Sequence, residues 1–212
     1  MFRFPSIQDL VIVIPVFLLA LTIHEFAHGW VANRLGDPTA RLQGRLTINP
    51  LAHLDIIGTI AIVLIQFGWA KPVPVDARYL RNPRRDMILI SAAGPASNLL
   101  LAVLSAFFFQ TIPWGQLLTQ QSAWLIVPIA SVVRTSVSVN VILAVFNLLP
   151  IPPLDGSRIV SGLLPLRQAI TYNQLEPYGF LIIFLLSYIG ALVPVFRIAD
   201  HTVTPFLLQI WG

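Results

Sequence analysis

The sequence predicts an all-α polytopic membrane protein: about four transmembrane helices, with a short membrane-associated β-hairpin or re-entrant region between the first and second. Three observations predict this. Hydrophobic residues make up 56% of the chain and charged ones only 10%, whereas soluble domains carry about a quarter charged residues. The mean hydropathy is +0.79. The apolar runs are continuous rather than alternating, which favours helices over a barrel. A chain of 212 residues then has room for one membrane-embedded domain, 1–212, and no large soluble one. The absence of cysteine excludes disulfides and thiolate metal ligands. No basic patch interleaved with aromatics supports a nucleic-acid partner, so the lipid bilayer is the expected surrounding.

The first span is expected at about 10–33. Leu10–Ile23 carries no charge, and His24, Glu25 and His28 follow directly. A helix of this length is ~36 Å long, enough for a hydrocarbon core of ~30 Å. No cleavable signal is expected, because the apolar run continues into the histidines. Gly36-Asp37-Pro38 ends the helix. Residues 40–48 alternate: Ala40, Leu42, Leu46 and Ile48 against Arg41, Gln43, Arg45 and Thr47. That period of two predicts a strand with one wet face, able to receive an extended peptide along its edge. Ile56–Phe67 is uncharged but only twelve residues long, which reads as re-entrant. Gly68–Pro74 reads as a rigid proline-rich connector, and Arg78, Arg81, Arg84 and Arg85 as an anchor at the lipid headgroups.

The second span is expected at about 87–110. Its start, Ser91-Ala-Ala-Gly94-Pro-Ala-Ser97-Asn98, is rich in small residues that let helices approach closely in lipid. Asn98 is either packing glue there or faces a reaction centre. The third span, about 134–150, runs into Pro150, Pro152 and Pro153. Such a proline run cannot continue as helix, and the break aims Asp155 inward. The fourth span is expected at about 178–195. Four spans put 34–86 and 151–177 on one side. That side holds ten of the thirteen basic residues, leaving Arg3, Arg134 and Arg197 for the other. The bias marks it as cytoplasmic, and it puts His24, His28 and Asp155 near the same membrane face.

Ionisable residues inside a span are functional candidates by default. His24 and His28, at i and i+4, share a helix face and can ligate one metal ion. Glu25, on the adjacent face, is placed to act as a general base. Two histidines, one carboxylate and an open fourth position form the pattern of a catalytic zinc. His53 could reach the site from the cytoplasmic side, but a loop histidine beside Asp55 needs no such role. A non-enzymatic binder or metal-ion transporter remains the alternative, since intramembrane His and Asp also mark ion pathways. A transporter, however, needs further ligands along a path, and the outer halves of the spans are nearly all apolar.

Three motifs together, His24-Glu-Phe-Ala-His28, Gly94-Pro-Ala-Ser-Asn98 and Asn147-Leu-Leu-Pro-Ile-Pro-Pro-Leu-Asp155-Gly156, resemble the site-2 protease family of intramembrane zinc metalloproteases. Asn49–Asp55 and Gly68–Pro74 look like its compact prokaryotic branch, without PDZ or CBS modules. The resemblance implies one Zn2+ per chain held by His24, His28 and Asp155, with Glu25 as catalytic base. It also implies that Asn98 and Asn147 bind substrate or stabilise the oxyanion. The implied activity is hydrolysis of peptide bonds within or near the spans of single-span membrane proteins. The implied setting is a prokaryotic plasma membrane, with the site towards the cytoplasm.

Overall fold

The computed structural model describes residues 6–55, 58 and 70–210. Helix α1 spans Ile7–Arg34 and opens on a reciprocal cap: the Ser6 hydroxyl accepts from the Asp9 amide while the Asp9 carboxylate accepts from the Ser6 amide. A single turn, α2 (Thr39–Leu42), follows, then helix α3 (Pro83–Thr111), a turn α4 (Trp114–Leu117) and helix α5 (Ala123–Asn147). Helices α1, α3 and α5 are each long and apolar enough to cross a membrane. They pack on one another as a three-helix core, with Ala102, Ala106, Val137 and Val141 buried. Small residues at that seam bring the backbones together, as expected in lipid.

Beyond α5 come α6 (Asp155–Leu163), α7 (Leu166–Asn173), α8 (Gly179–Tyr188), α9 (Val193–Ile198) and α10 (Thr204–Leu207). Residues 178–195, expected as one span, are not one continuous helix. Leu166–Tyr188 and Val193–Leu207 form a pair bent by 72°, and this pair gives a fourth crossing if counted as one broken span. The turn between them passes through Gly190 at φ +76°.

The expected β-hairpin is not found. No strand occurs among the described residues, and 40–48 holds the α2 turn followed by coil. Local capping and tertiary packing override the alternation. The buried Asp37 carboxylate accepts from the Thr39 amide at 2.9 Å and starts the turn. Leu42 N–H to Pro38 C=O (2.9 Å) and Arg45 N–H to Ala40 C=O (2.8 Å) close it. Ala40 is fully buried beside Gly29 of α1. What pairing exists is one antiparallel bridge, Leu54 with Ala70. The expected re-entrant run Ile56–Phe67 lies, apart from Gly58, outside the described residues.

From Ala70 the chain crosses α1 as an extended strap. Lys71 N–H donates to His53 C=O (2.9 Å), and the Arg45 guanidinium donates to the Lys71 carbonyl (2.7 Å). The Asp76 amide donates to the Asp37 carboxylate (2.7 Å). Asp76 in turn caps the turn Ala77–Tyr79, and the Arg78 guanidinium bonded to it holds its carboxyl down at about 2.

Candidate metal centre

His24 and His28 lie one turn apart on α1, and Asp155 is the first residue of α6. Two close approaches bring them together. A Cβ on Gly94 of α3 would sit 2.6 Å from His24 Nε2 and nearer still to His28 Nε2, so only glycine leaves the imidazoles their space. A Cβ on Gly156 would run into the carbonyls of Leu148 and Leu149. Its absence lets α6 start tight against the end of α5, with Asp155 facing α1.

The result is one compact set of donors. His24 Nε2 is 3.0 Å from His28 Nε2, and Asp155 Oδ2 is 3.1 and 3.2 Å from the two nitrogens. Tetrahedral zinc at ligand distances of about 2.0–2.1 Å spaces its ligands about 3.3 Å apart. The hydrogen bonds behind the donors agree with a metal. His28 Nδ1 faces the Ile90 carbonyl at 2.7 Å, and His24 Nδ1 faces Asn98 Oδ1 at 2.6 Å. Both partners only accept, so each neutral imidazole carries its proton on Nδ1 and turns the Nε2 lone pair inwards. Asp155 Oδ2 is buried with no hydrogen-bond donor. Two lone pairs and a carboxylate oxygen in van der Waals contact repel one another unless a cation lies between them. The donor set therefore fits zinc.

Glu25 is 8% exposed, and its Oε2 accepts the Val73 amide at 2.8 Å. In Pro72-Val73-Pro74 this is the one N–H available, because prolines have none. The sequence, read as a connector there, did not reveal that the strap covers Glu25; a single amide between two prolines was the available signal.

Asn98 is fully buried, with its amide shared among His24, the Ala20 carbonyl (3.2 Å) and Asn140 (2.9 Å). Asn147, half-buried at the end of α5, donates to the Leu143 carbonyl at 3.0 Å. His53 is buried away from the donor cluster, with Nε2 on the Thr47 carbonyl at 2.9 Å. Asn140 drew no attention in the sequence, where it is one of several polar residues in a largely apolar helix.

The comparisons with known proteins agree with a metal site of this kind. The model of peptidase family M50 matches residues 12–130 and 115–190. YwhC of Bacillus subtilis, provisionally named a zinc metalloprotease, is 42% identical over 175 residues, covering 82% of this chain and 78% of its own. Rip2 of Mycolicibacterium smegmatis, named in the same way, is 33% identical over 194 residues, covering 86% of this chain and 68% of its own. No solved structure matches at the same stringency.

Proposed function

The chain belongs to peptidase family M50, the site-2 proteases, and is a zinc metalloprotease; we propose that its single domain cleaves single-span membrane proteins within or near their transmembrane segments. We assign His24, His28 and Asp155 as the zinc ligands and Glu25 as the base. The observation that carries the assignment is the triangle of two Nε2 lone pairs and one unpartnered carboxylate oxygen.

Zinc, when bound, supplies Lewis acidity, lowering the pKa of water towards ~7 and polarising the scissile carbonyl. Glu25 takes the proton of the attacking water and gives it to the leaving amine. The Val73 amide fixes Oε2, which leaves Oε1 to carry that proton. Asn147, at the end of α5, is assigned to positioning the substrate. A helical peptide bond is shielded, so the substrate span must unwind locally, which small residues favour. The clustering of basic residues in 34–86 and 151–177 supports a cytoplasm-facing site in a prokaryotic plasma membrane.

The test is reconstitution with a tagged single-span substrate. Cleavage should be lost on chelation and restored by zinc, and Asp155→Ala should retain far less zinc than wild type. Equal zinc in Asp155→Ala overturns the ligand assignment. Zinc-loaded protein that cleaves soluble peptides but no membrane span overturns the substrate class. The strap yields a separate prediction. A hydrogen bond to a charged group contributes ~1.5–3 kcal/mol, so Val73→Pro should lower kcat by roughly 10- to 100-fold. Zinc content should be unchanged, and Val73→Ala, which keeps the amide, should stay near wild type.

A further inference from the structure

Behind His24 a file of side-chain amides runs through the helix core. His24 Nδ1 meets Asn98 Oδ1 at 2.6 Å, and Asn98 Nδ2 donates to Asn140 Oδ1 at 2.9 Å and to the Ala20 carbonyl at 3.2 Å. Asn140 Nδ2 donates to the Ser136 carbonyl at 2.9 Å and reaches the Ser136 hydroxyl at 3.2 Å. Asn98 and Asn140 are 0% and 1% exposed, so neither can turn to solvent for another partner.

The file has only one consistent direction. A backbone carbonyl accepts and never donates, so the Ser136 carbonyl requires the NH2 end of Asn140. The oxygen of Asn140 then faces Asn98. Asn98 must offer its NH2 there and to Ala20, and so its oxygen must face His24. That oxygen requires a proton on Nδ1, which leaves Nε2 as a lone pair. If the Asn98 amide were reversed, its NH2 would meet Nδ1, Nε2 would carry the proton, and His24 could not bind a metal. His28 has no such dependence, because its Nδ1 faces a backbone carbonyl directly.

We propose that Asn140 is a positioning residue for His24: together with the Ala20 carbonyl, which calls for the same NH2 end of Asn98, it holds Asn98 in the direction that makes His24 a metal ligand. This rests on the assignment of His24 to zinc. A direct partner of a ligating histidine typically controls metal affinity 10- to 100-fold. Asn98 is that partner. Asn140 acts one hydrogen bond behind it with the Ala20 carbonyl still in place, so its own share is the smaller, about 3- to 10-fold.

The experiment measures zinc affinity of the full-length protein in detergent by competition with a chromogenic chelator. Folding is checked in parallel by thermal unfolding. The variants are Asn140→Leu and Asn140→Ala, each in the wild-type background and in an Asn98→Ala background. Alanine at 98 leaves no side-chain amide for Asn140 to orient. The expected result is an affinity about 3- to 10-fold weaker for either Asn140 variant in the wild-type background, and a change under about twofold with Asn98→Ala present. The Co2+-loaded wild type and Asn140 variants should also differ in their visible ligand-field spectra, which report on the coordination itself. Wild-type affinity in a folded Asn140 variant overturns the proposal. So does an equal loss in both backgrounds, which marks a packing role. Asn140→Leu and Asn140→Ala that both fail to fold, in either background, overturn it likewise. Zinc bound with the same affinity by wild type and His24→Ala instead refutes the underlying metal assignment and is distinguishable from all of these.

Discussion

Glu25→Gln is expected to remove nearly all peptide hydrolysis while leaving zinc content at the wild-type level. The substitution is isosteric, and the Gln side chain still offers an oxygen to the Val73 amide, now 2.8 Å from Glu25 Oε2. The strap and the three-donor cluster therefore have no reason to move. What is lost is a group that can accept a proton, and a positioned general base contributes about 10²–10⁴-fold. The measurement is turnover of a reconstituted span substrate with zinc content read on the same preparation. Turnover within tenfold of wild type would remove Glu25 from the chemistry. A loss of zinc alongside turnover would place Glu25 in metal binding instead. The outcome should also differ in size from that of Val73→Pro, because removing the amide misplaces the base without abolishing it.

The difference between what was and was not legible in the sequence follows from the range of the interactions. Lipid imposes a uniform demand on each crossing helix, so continuous apolar runs mark α1 and α3 directly, whereas α5 starts at Ala123, eleven residues before the expected 134. His24 and His28 share a face through helical periodicity alone. Asp155 required one further step, the inference that the first and third spans end on one side, and the structure does bring the three donors together. The alternation in 40–48 failed because period two is a weak signal over a few residues when a neighbouring carboxylate, Asp37, is free to start a turn. Packing of Ala40 beside Gly29 then rewards that turn, and the pairing is between residues far apart in sequence. Asn140 and Val73 were hidden for the same reason. Each is unremarkable in its own segment, and its role exists only through a partner on another element: Asn98 for one, Glu25 for the other.

Gly94→Ala is expected to be as damaging as removal of a ligand, although glycine contributes no chemistry. Alanine is the better helix former by ~1 kcal/mol, so propensity alone predicts a more stable α3. The added methyl, however, would lie 2.6 Å from both Cε1 and Nε2 of His24. These atoms cannot yield easily. His24 is held from behind by Asn98, and His28 by the Ile90 carbonyl on α3 itself. Relief must come from separating α1 and α3 or from pushing the imidazoles off their hydrogen bonds. Either opens the 3.0–3.2 Å triangle of donors. Overpacking of this kind costs ~1–3 kcal/mol in a well-packed interior, and a misplacement of about 1 Å at a reacting centre can cost 10²-fold in rate. Zinc bound per chain should fall well below one, and turnover by at least about 10²-fold, with the protein still inserted and helical. Gly115→Ala, where an added Cβ meets nothing within 4 Å, is the matched control and should behave as wild type. If Gly94→Ala kept both zinc and turnover, the packing of α3 against the histidines could not be what sets the site.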